Sequence, residues 1–194
     1  MPWEKRFDHD EVLDRAMELF WAHGYRGVSM ADLVAELGVN RSSLYATYGQ
    51  KDALFVSALA RYDRIHRQEW LAAIESSDDP IEAIRRTFSD VAAASRGDRP
   101  LGCLLVNTIL ELPADEPLVG DLVQDAFAET EGFFARQIDR ARVSGALPDA
   151  TDSATLASAL MALLLGIRVL SRAQRPTDAI DPILTQVDAL LHSA

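Results

Sequence analysis

Apolar residues recur every three or four positions through most of this 194-residue chain, in runs broken by glycine, proline and short clusters of Asp, Asn and Ser. That period predicts helices, and no stretch alternates as a half-buried strand would. Over residues 10–23 the inward positions are Val12, Leu13, Ala16, Leu19 and Phe20, with Asp8 or Asp10 as cap and Gly24 as stop. Two short helices follow, over 30–37 and 41–48. A long one covers 51–76, with Leu54, Phe55, Ala58, Leu59, Tyr62, Ile65, His66 and Trp70 at helical spacing. Pro80 opens the next, which runs to about 96 with Ile84, Phe88, Val91 and Ala92 inward. An apolar helix of about ten residues lies within 101–113, and a long amphipathic one spans 118–144. The stretch over 153–173 is apolar almost all round, and a last helix ends near 192. The reading is an all-α chain of about nine helices.

Residues 29–51 carry the most specific local chemistry. Ser29 stands three positions before Asp32 and just ahead of an apolar run, the arrangement of a helix N-cap. Met30, Leu33, Val34 and Leu37 give that helix one buried stripe, and Gly38 supplies the φ > 0 residue that ends it. Val39 fills the angle between two helices, and Asn40 caps the second. This is helix-turn-helix spacing. The second helix has one inward anchor, Leu44. Its other positions, Arg41, Ser42, Ser43, Tyr45, Ala46, Thr47 and Tyr48, are small, hydroxylated, aromatic or basic. Such residues let a helix approach a groove closely and reach phosphates or base edges. An ordinary helical hairpin with a polar face is the alternative on spacing alone.

From Arg6 to Arg67 the chain resembles the TetR family of bacterial transcriptional regulators. The residues that carry the resemblance are Gly24-Tyr25, Ser29-Met30, Gly38-Val39, Ser43-Leu44-Tyr45 and Lys51-Asp52-Ala53-Leu54, in the family's order and without a gap. Tyr48-Gly49 departs from it, since the family more often has Phe followed by Pro or a small polar residue; Tyr48 can fill the same space. The resemblance implies a helix-turn-helix DNA-binding domain over 6–66, with the motif at 29–48, and a larger regulatory and dimerisation domain over 67–194. It also implies a homodimer that binds an inverted-repeat operator as a ligand-responsive repressor. Position by position, it places DNA contacts at Ser29, Arg41, Ser42, Ser43, Tyr45, Thr47 and Lys51. Arg41 suits base readout, while Tyr45 and Lys51 suit phosphates. The arm with Trp3, Lys5 and Arg6 could add contacts. The alternative is a small-molecule or protein-interaction module whose helix-turn-helix does not bind DNA.

A net charge of −11 looks wrong for a DNA binder until it is mapped. Residues 1–67 hold nine basic against ten acidic side chains, whereas 68–194 hold ten against twenty. Within 40–67 the balance is five basic to two acidic, so local positive charge sits at the reading helix and beyond it. The acidic remainder discourages nonspecific adsorption to DNA. One cysteine, Cys103, fits a reducing cytoplasm and a buried packing role. No apolar run reaches 18 residues and no signal-peptide pattern opens the chain, so a cytoplasmic location and no membrane are expected. No nucleophile elbow, phosphate loop, metalloprotease pair or dinucleotide fingerprint is present, and His23 lacks a second ligand at zinc-like spacing. The expectation is no enzyme, no metal and no cofactor.

Polar residues within apolar helices mark a candidate ligand site in the second domain: Asn107, Thr108, Glu111, Gln137 and Arg168, with Phe88, Phe127 and Phe134 as apolar lining. Arg168 could receive a carboxylate or pair with Glu111. The ligand expected is a small apolar inducer. A helix apolar on every side needs cover on every side, so the last two helices are expected to meet a second copy.

Overall fold

The sequence carries its own helix signals, and the caps form as the residue types require. The computed structural model describes residues 8–96, 102–113, 117–174 and 177–193, and among these every regular element is helical. The protein is all-α. Asp8 accepts from the Asp10 and Glu11 amides and starts α1 (His9–His23), which Gly24 ends at φ 78°. Ser29 and Asp32 form a reciprocal capping box at the start of α2 (Met30–Leu37), and Gly38 closes it in the left-handed conformation. The Asn40 side chain accepts from the Ser43 amide and starts α3 (Arg41–Tyr48). Asp79 and Asp152 do the same for α6 (Pro80–Ala94) and α9 (Ser153–Arg172).

The predicted rod over 51–76 forms, but not as one regular helix. It comprises α4 (Lys51–Asp63), a π-helical turn (Arg64–Gln68) and α5 (Glu69–Glu75). The turn coincides with a charge network that periodicity does not reveal. Arg67 and Asp63 are both buried and paired, Arg67 also reaches Glu129 at 2.7 Å, and Gln68 donates to Asp63 at 2.7 Å. The remaining helices are α7 (Leu104–Glu111), α8 (Gly120–Val143) and α10 (Asp181–Ser193), the last preceded by a 3-10 turn at Thr177–Ala179. Counting the rod once, there are nine helices among the described residues. The arm with Trp3, Lys5 and Arg6 lies outside them.

Two hydrophobic cores result. Val12, Ala16, Phe20, Leu33, Leu44 and Phe55 join α1–α4 into the first. This core also takes in Leu104, Leu105 and Val106 of α7, and Val123 and Ala126 of α8. The second packs α5, α6, the later part of α8, α9 and α10 around Ile84, Phe88, Phe134, Leu160 and Ile167. The cores therefore do not divide at residue 66. Although α7 follows that point in sequence, it completes the floor of the first core.

By length and composition α9 could cross a bilayer, with an 18-residue window of mean hydropathy 1.9. Here Leu156, Leu160, Leu164 and Ile167 bury one side of it in the second core. The helix is not covered all round: Val169 is 40 % exposed, and Leu163 and Leu165 pack against the core but are only partly covered. Ile183, Leu184 and Leu190 of α10 are partly covered as well.

Candidate nucleic-acid interface

The outward face of α3 is made by default, because Leu44 is its one buried side chain. Arg41, Ser42, Ala46 and Thr47 are exposed, with Ser43 and Tyr45 half-buried. The Arg41 guanidinium rests over the Tyr45 ring, 5.5 Å from its centroid, and its Nη2 lies 3.5 Å from the Tyr45 hydroxyl. Stacking of this kind holds a long side chain in place while leaving its donor edge available. Lys51 Nζ sits 4.2 Å above the Tyr25 ring at the start of α4, and the Tyr25 hydroxyl donates to Asp52.

The predicted contact residues are all exposed or half-buried, but they differ in chemical state. The Ser29 hydroxyl donates to Asp32 at 2.6 Å and caps α2. That bond and the Ser29 amide hold the Asp32 carboxyl below the usual carboxylate range. Ser42 donates to Asn40 at 2.7 Å, and the Ser43 amide is the group Asn40 caps. Arg41 and Tyr45 instead engage each other, and Lys51 rests over Tyr25, so none of these three side chains serves as a helix cap.

The head is fastened to its own scaffold by charge. Arg61 bridges from α4 to Asp14 and Asp10 on α1, at 2.7 Å and 2.9 Å. Its guanidinium holds the Asp14 carboxyl below the usual range. Arg15 donates to the carbonyls of Glu36 and Leu37 at the end of α2, and the Tyr48 hydroxyl donates to the His9 carbonyl at 3.0 Å.

Two contacts tie the head to the regulatory helices, and neither has a local sequence signal. Glu111, at the end of α7, accepts from the backbone amides of Tyr25, at 2.9 Å, and Arg26. Arg172, at the end of α9, donates to the carbonyls of Trp21 and Ala22 at 3.4 Å and 3.3 Å. The end of α1 is thus gripped from two sides, its last-turn carbonyls by a guanidinium and the amides just beyond it by a carboxylate. Gly24 is required between them: a Cβ there would lie 2.6 Å from Glu111 Oε2, on backbone with φ 78°.

This placement redistributes the expected ligand residues. Glu111 faces the α1–α2 turn rather than Arg168, so the anticipated Glu111–Arg168 pair does not form. Phe88 and Phe134 stack on each other inside the second core, with centroids 5.8 Å apart. The Thr108 hydroxyl donates to the Leu104 carbonyl, as a buried helical threonine does, and Asn107 is buried beside it. Gln137 accepts from Arg140 at 2.8 Å within the bundle. Phe127 and Arg168 do line open space. They border a small recess with Tyr62, Cys103, Leu105 and Met161. Next to it is a cavity of about 190 Å3 that shares Tyr62, His66, Trp70 and Arg168 and adds Trp21. Burial pushes the Tyr62 hydroxyl well above its ordinary range, with the Cys103 thiol adding to the shift. Among the described residues no group of His, Cys, Asp and Glu could hold a metal.

Known proteins match along nearly the whole chain. Residues 12–58 fit the family model "Bacterial regulatory proteins, tetR family", and residues 80–187 fit "Tetracyclin repressor-like, C-terminal domain". The HTH-type transcriptional regulator YezE of Bacillus subtilis is 32 % identical over 95 % of this chain and 98 % of its own length. The HTH-type transcriptional repressor ComR of Escherichia coli is 30 % identical over 87 % of this chain and 81 % of its own. A cysteine-substituted form of the TetR family regulator CifR, solved with a 26-base-pair operator DNA, superposes with a TM-score of 0.82 at 29 % identity, covering 95 % of each chain. A TetR family regulator from Cytophaga hutchinsonii shares the fold at a TM-score of 0.85 and 20 % identity, covering 95 % of this chain and 92 % of its own. With a helix-turn-helix held outward on a helical body, and both halves matched, this chain belongs to the TetR family of bacterial regulatory proteins and is a helix-turn-helix transcriptional regulator.

Proposed function

We propose that the protein is a cytoplasmic repressor that binds an inverted-repeat operator as a homodimer and releases it when a small, largely apolar ligand enters the regulatory domain. The proposed units are residues 6–66 for DNA and 67–194 for regulation and dimerisation. The observation that carries the reading is the composition of the outward face of α3: Arg41, Ser42, Tyr45 and Thr47 project from a helix whose one buried side chain is Leu44. Arg41 reads a guanine edge in the major groove, and Tyr45, Thr47 and Lys51 hold phosphates. Ser29 and Ser43 contribute through the helix starts they border, where backbone N–H groups favour an anion. The partly covered faces of α9 and α10 meet their counterparts across a two-fold axis, which sets the spacing of the two reading helices.

The chemistry proposed is binding, with no catalytic step. Ligand entry near Arg168 and Phe127 acts on the rod and on the Glu111 and Arg172 contacts, and so changes the separation of the heads. The test is a mobility shift with DNA from upstream of the protein's own gene, followed by footprinting and sedimentation. The expected result is a dimer that protects two half-sites one helical turn apart or a multiple of it. A monomer at micromolar concentration, or no retarded band at low salt, would refute the reading.

A further inference from the structure

The cavity of about 190 Å3 lies where α1, the rod, α6 and α9 meet, and its walls are not those of a purely apolar pocket. Tyr62, Ile65, Trp70 and Val91 give it a flat, aromatic and aliphatic body, and its volume suits a single ring with a substituent. Two polar features stand apart from that lining. Trp21 is 7 % exposed, and its indole Nε1–H finds no acceptor among the described residues. Arg168 borders both this cavity and the recess beside it, and no ion pair or side-chain hydrogen bond engages its guanidinium among the described residues.

The shortage of partners is not a shortage of carboxylates, since the chain has 30 acidic residues against 19 basic. The carboxylate in the cavity wall is already engaged. Asp90 accepts from Trp70 Nε1 at 3.0 Å and lies 3.7 Å from Arg86 Nε. One charge in the walls is therefore left without a counter-charge, and it is positive. A buried indole donor and a guanidinium that both lack acceptors specify what should enter: an anion with oxygen acceptors on a flat apolar frame.

We propose that this cavity binds a small aromatic carboxylate, with its carboxylate paired to Arg168 and an oxygen accepting the Trp21 Nε1–H. The assignment rests on the reading of the chain as a ligand-responsive regulator and names the ligand class. It also supplies a direct route to the head. Trp21 belongs to α1, its ring packs edge-on against Tyr62 at 4.9 Å, and its own carbonyl is held by Arg172, one turn along α9 from Arg168. A ligand bonded to Trp21 and Arg168 bridges the reading head and the regulatory helix in one step.

The test is calorimetric titration of the DNA-free full chain with benzoate and phenylacetate, alongside the uncharged benzamide and phenylacetamide. The acids should bind, and the amides should bind about tenfold more weakly or worse, as expected for loss of a charge-assisted pair. Arg168→Met should abolish that preference, while Arg168→Lys should retain part of it. Trp21→Phe keeps the ring and removes the N–H, and should weaken acid binding several-fold with the helical circular dichroism unchanged. Failure of both acids to bind at millimolar concentration, equal binding of acids and amides, or a preference that survives Arg168→Met would each overturn the assignment. A mobility shift run in parallel separates this from the wider reading. Acid binding that leaves operator affinity unchanged would refute ligand responsiveness and leave the cavity assignment standing. Operator binding with no acid binding would refute the cavity assignment alone.

Discussion

The core beneath α3 and the core of the α8–α9 bundle use the same kinds of side chain and differ at their edges. The first is edged by polar ties. Arg61 joins α4 to α1, Tyr48 joins α3 to α1, Glu111 holds the α1–α2 turn, and Arg172 holds the end of α1. The second has polar ties of its own, Arg85–Asp188 between α6 and α10 and Arg136–Glu75 between α8 and α5, around an interior where Phe88, Phe133 and Phe134 are in contact and Leu160 and Ile167 are fully buried. Its unfinished edge is apolar, along α9 and α10. Polar ties are directional and can be exchanged for others at small cost, whereas interdigitated apolar packing shifts little without leaving a void. The contrast suits the proposed function, in which the head turns and the body stays paired.

The largest expected effect tests the rigid side. Phe134 is fully buried, and Phe134→Ala should cost about 3–5 kcal/mol in thermal or urea unfolding. A loss under about 1 kcal/mol would mean that the bundle relaxes around the void and is not the stiff partner described here.

On the adjustable side, Gly24→Ala places a methyl against Glu111 on a left-handed turn, and should destabilise the fold by about 1–3 kcal/mol. Pairing it with Glu111→Ala should recover part of the loss, because the clash is removed while the backbone strain stays. Strict additivity of the two changes in chemical denaturation would show that Glu111 does not grip this turn.

Arg41→Ala should cost about 1–3 kcal/mol of discrimination at one base pair and leave unfolding unchanged. Binding-site selection that returns the same preferred sequence would remove Arg41 from base readout. Lys51→Ala should weaken all sites alike and lower the slope of log affinity against log salt by about 1. Titrations at several salt concentrations would show this, and an unaltered slope would place Lys51 away from the phosphates.

The smallest effect is on pH. The Arg61 guanidinium beside Asp14 lowers the native pKa of that carboxyl, so the pair stabilises the fold above the ordinary carboxylate range near about pH 4 and is lost as pH falls through the lowered native value. Asp14 is 41 % exposed, and solvent screening limits the contribution to below about 1 kcal/mol. Arg61→Met should flatten that part of the acid-unfolding profile. A profile identical to the unsubstituted protein would show that the tie does not contribute.

The primary structure alone determined the all-helical architecture, the caps at Ser29 and Asn40, and the outward composition of α3. Each of these follows from side chains and backbone groups within a turn or two of one another, so the information is local. The open faces of α9 and α10 were legible for the same reason, as composition on a helical period. Tertiary structure alone decided that α7 packs under the head, that Glu111 grips a turn 86 residues earlier instead of facing Arg168, and that Trp21 of α1 stands in a cavity wall beside Arg168 of α9. It also placed the π turn where Asp63 and Arg67 are buried together. Those outcomes depend on which helix faces meet when two cores close around a shared rod, and no spacing along the chain encodes the meeting of residues so far apart.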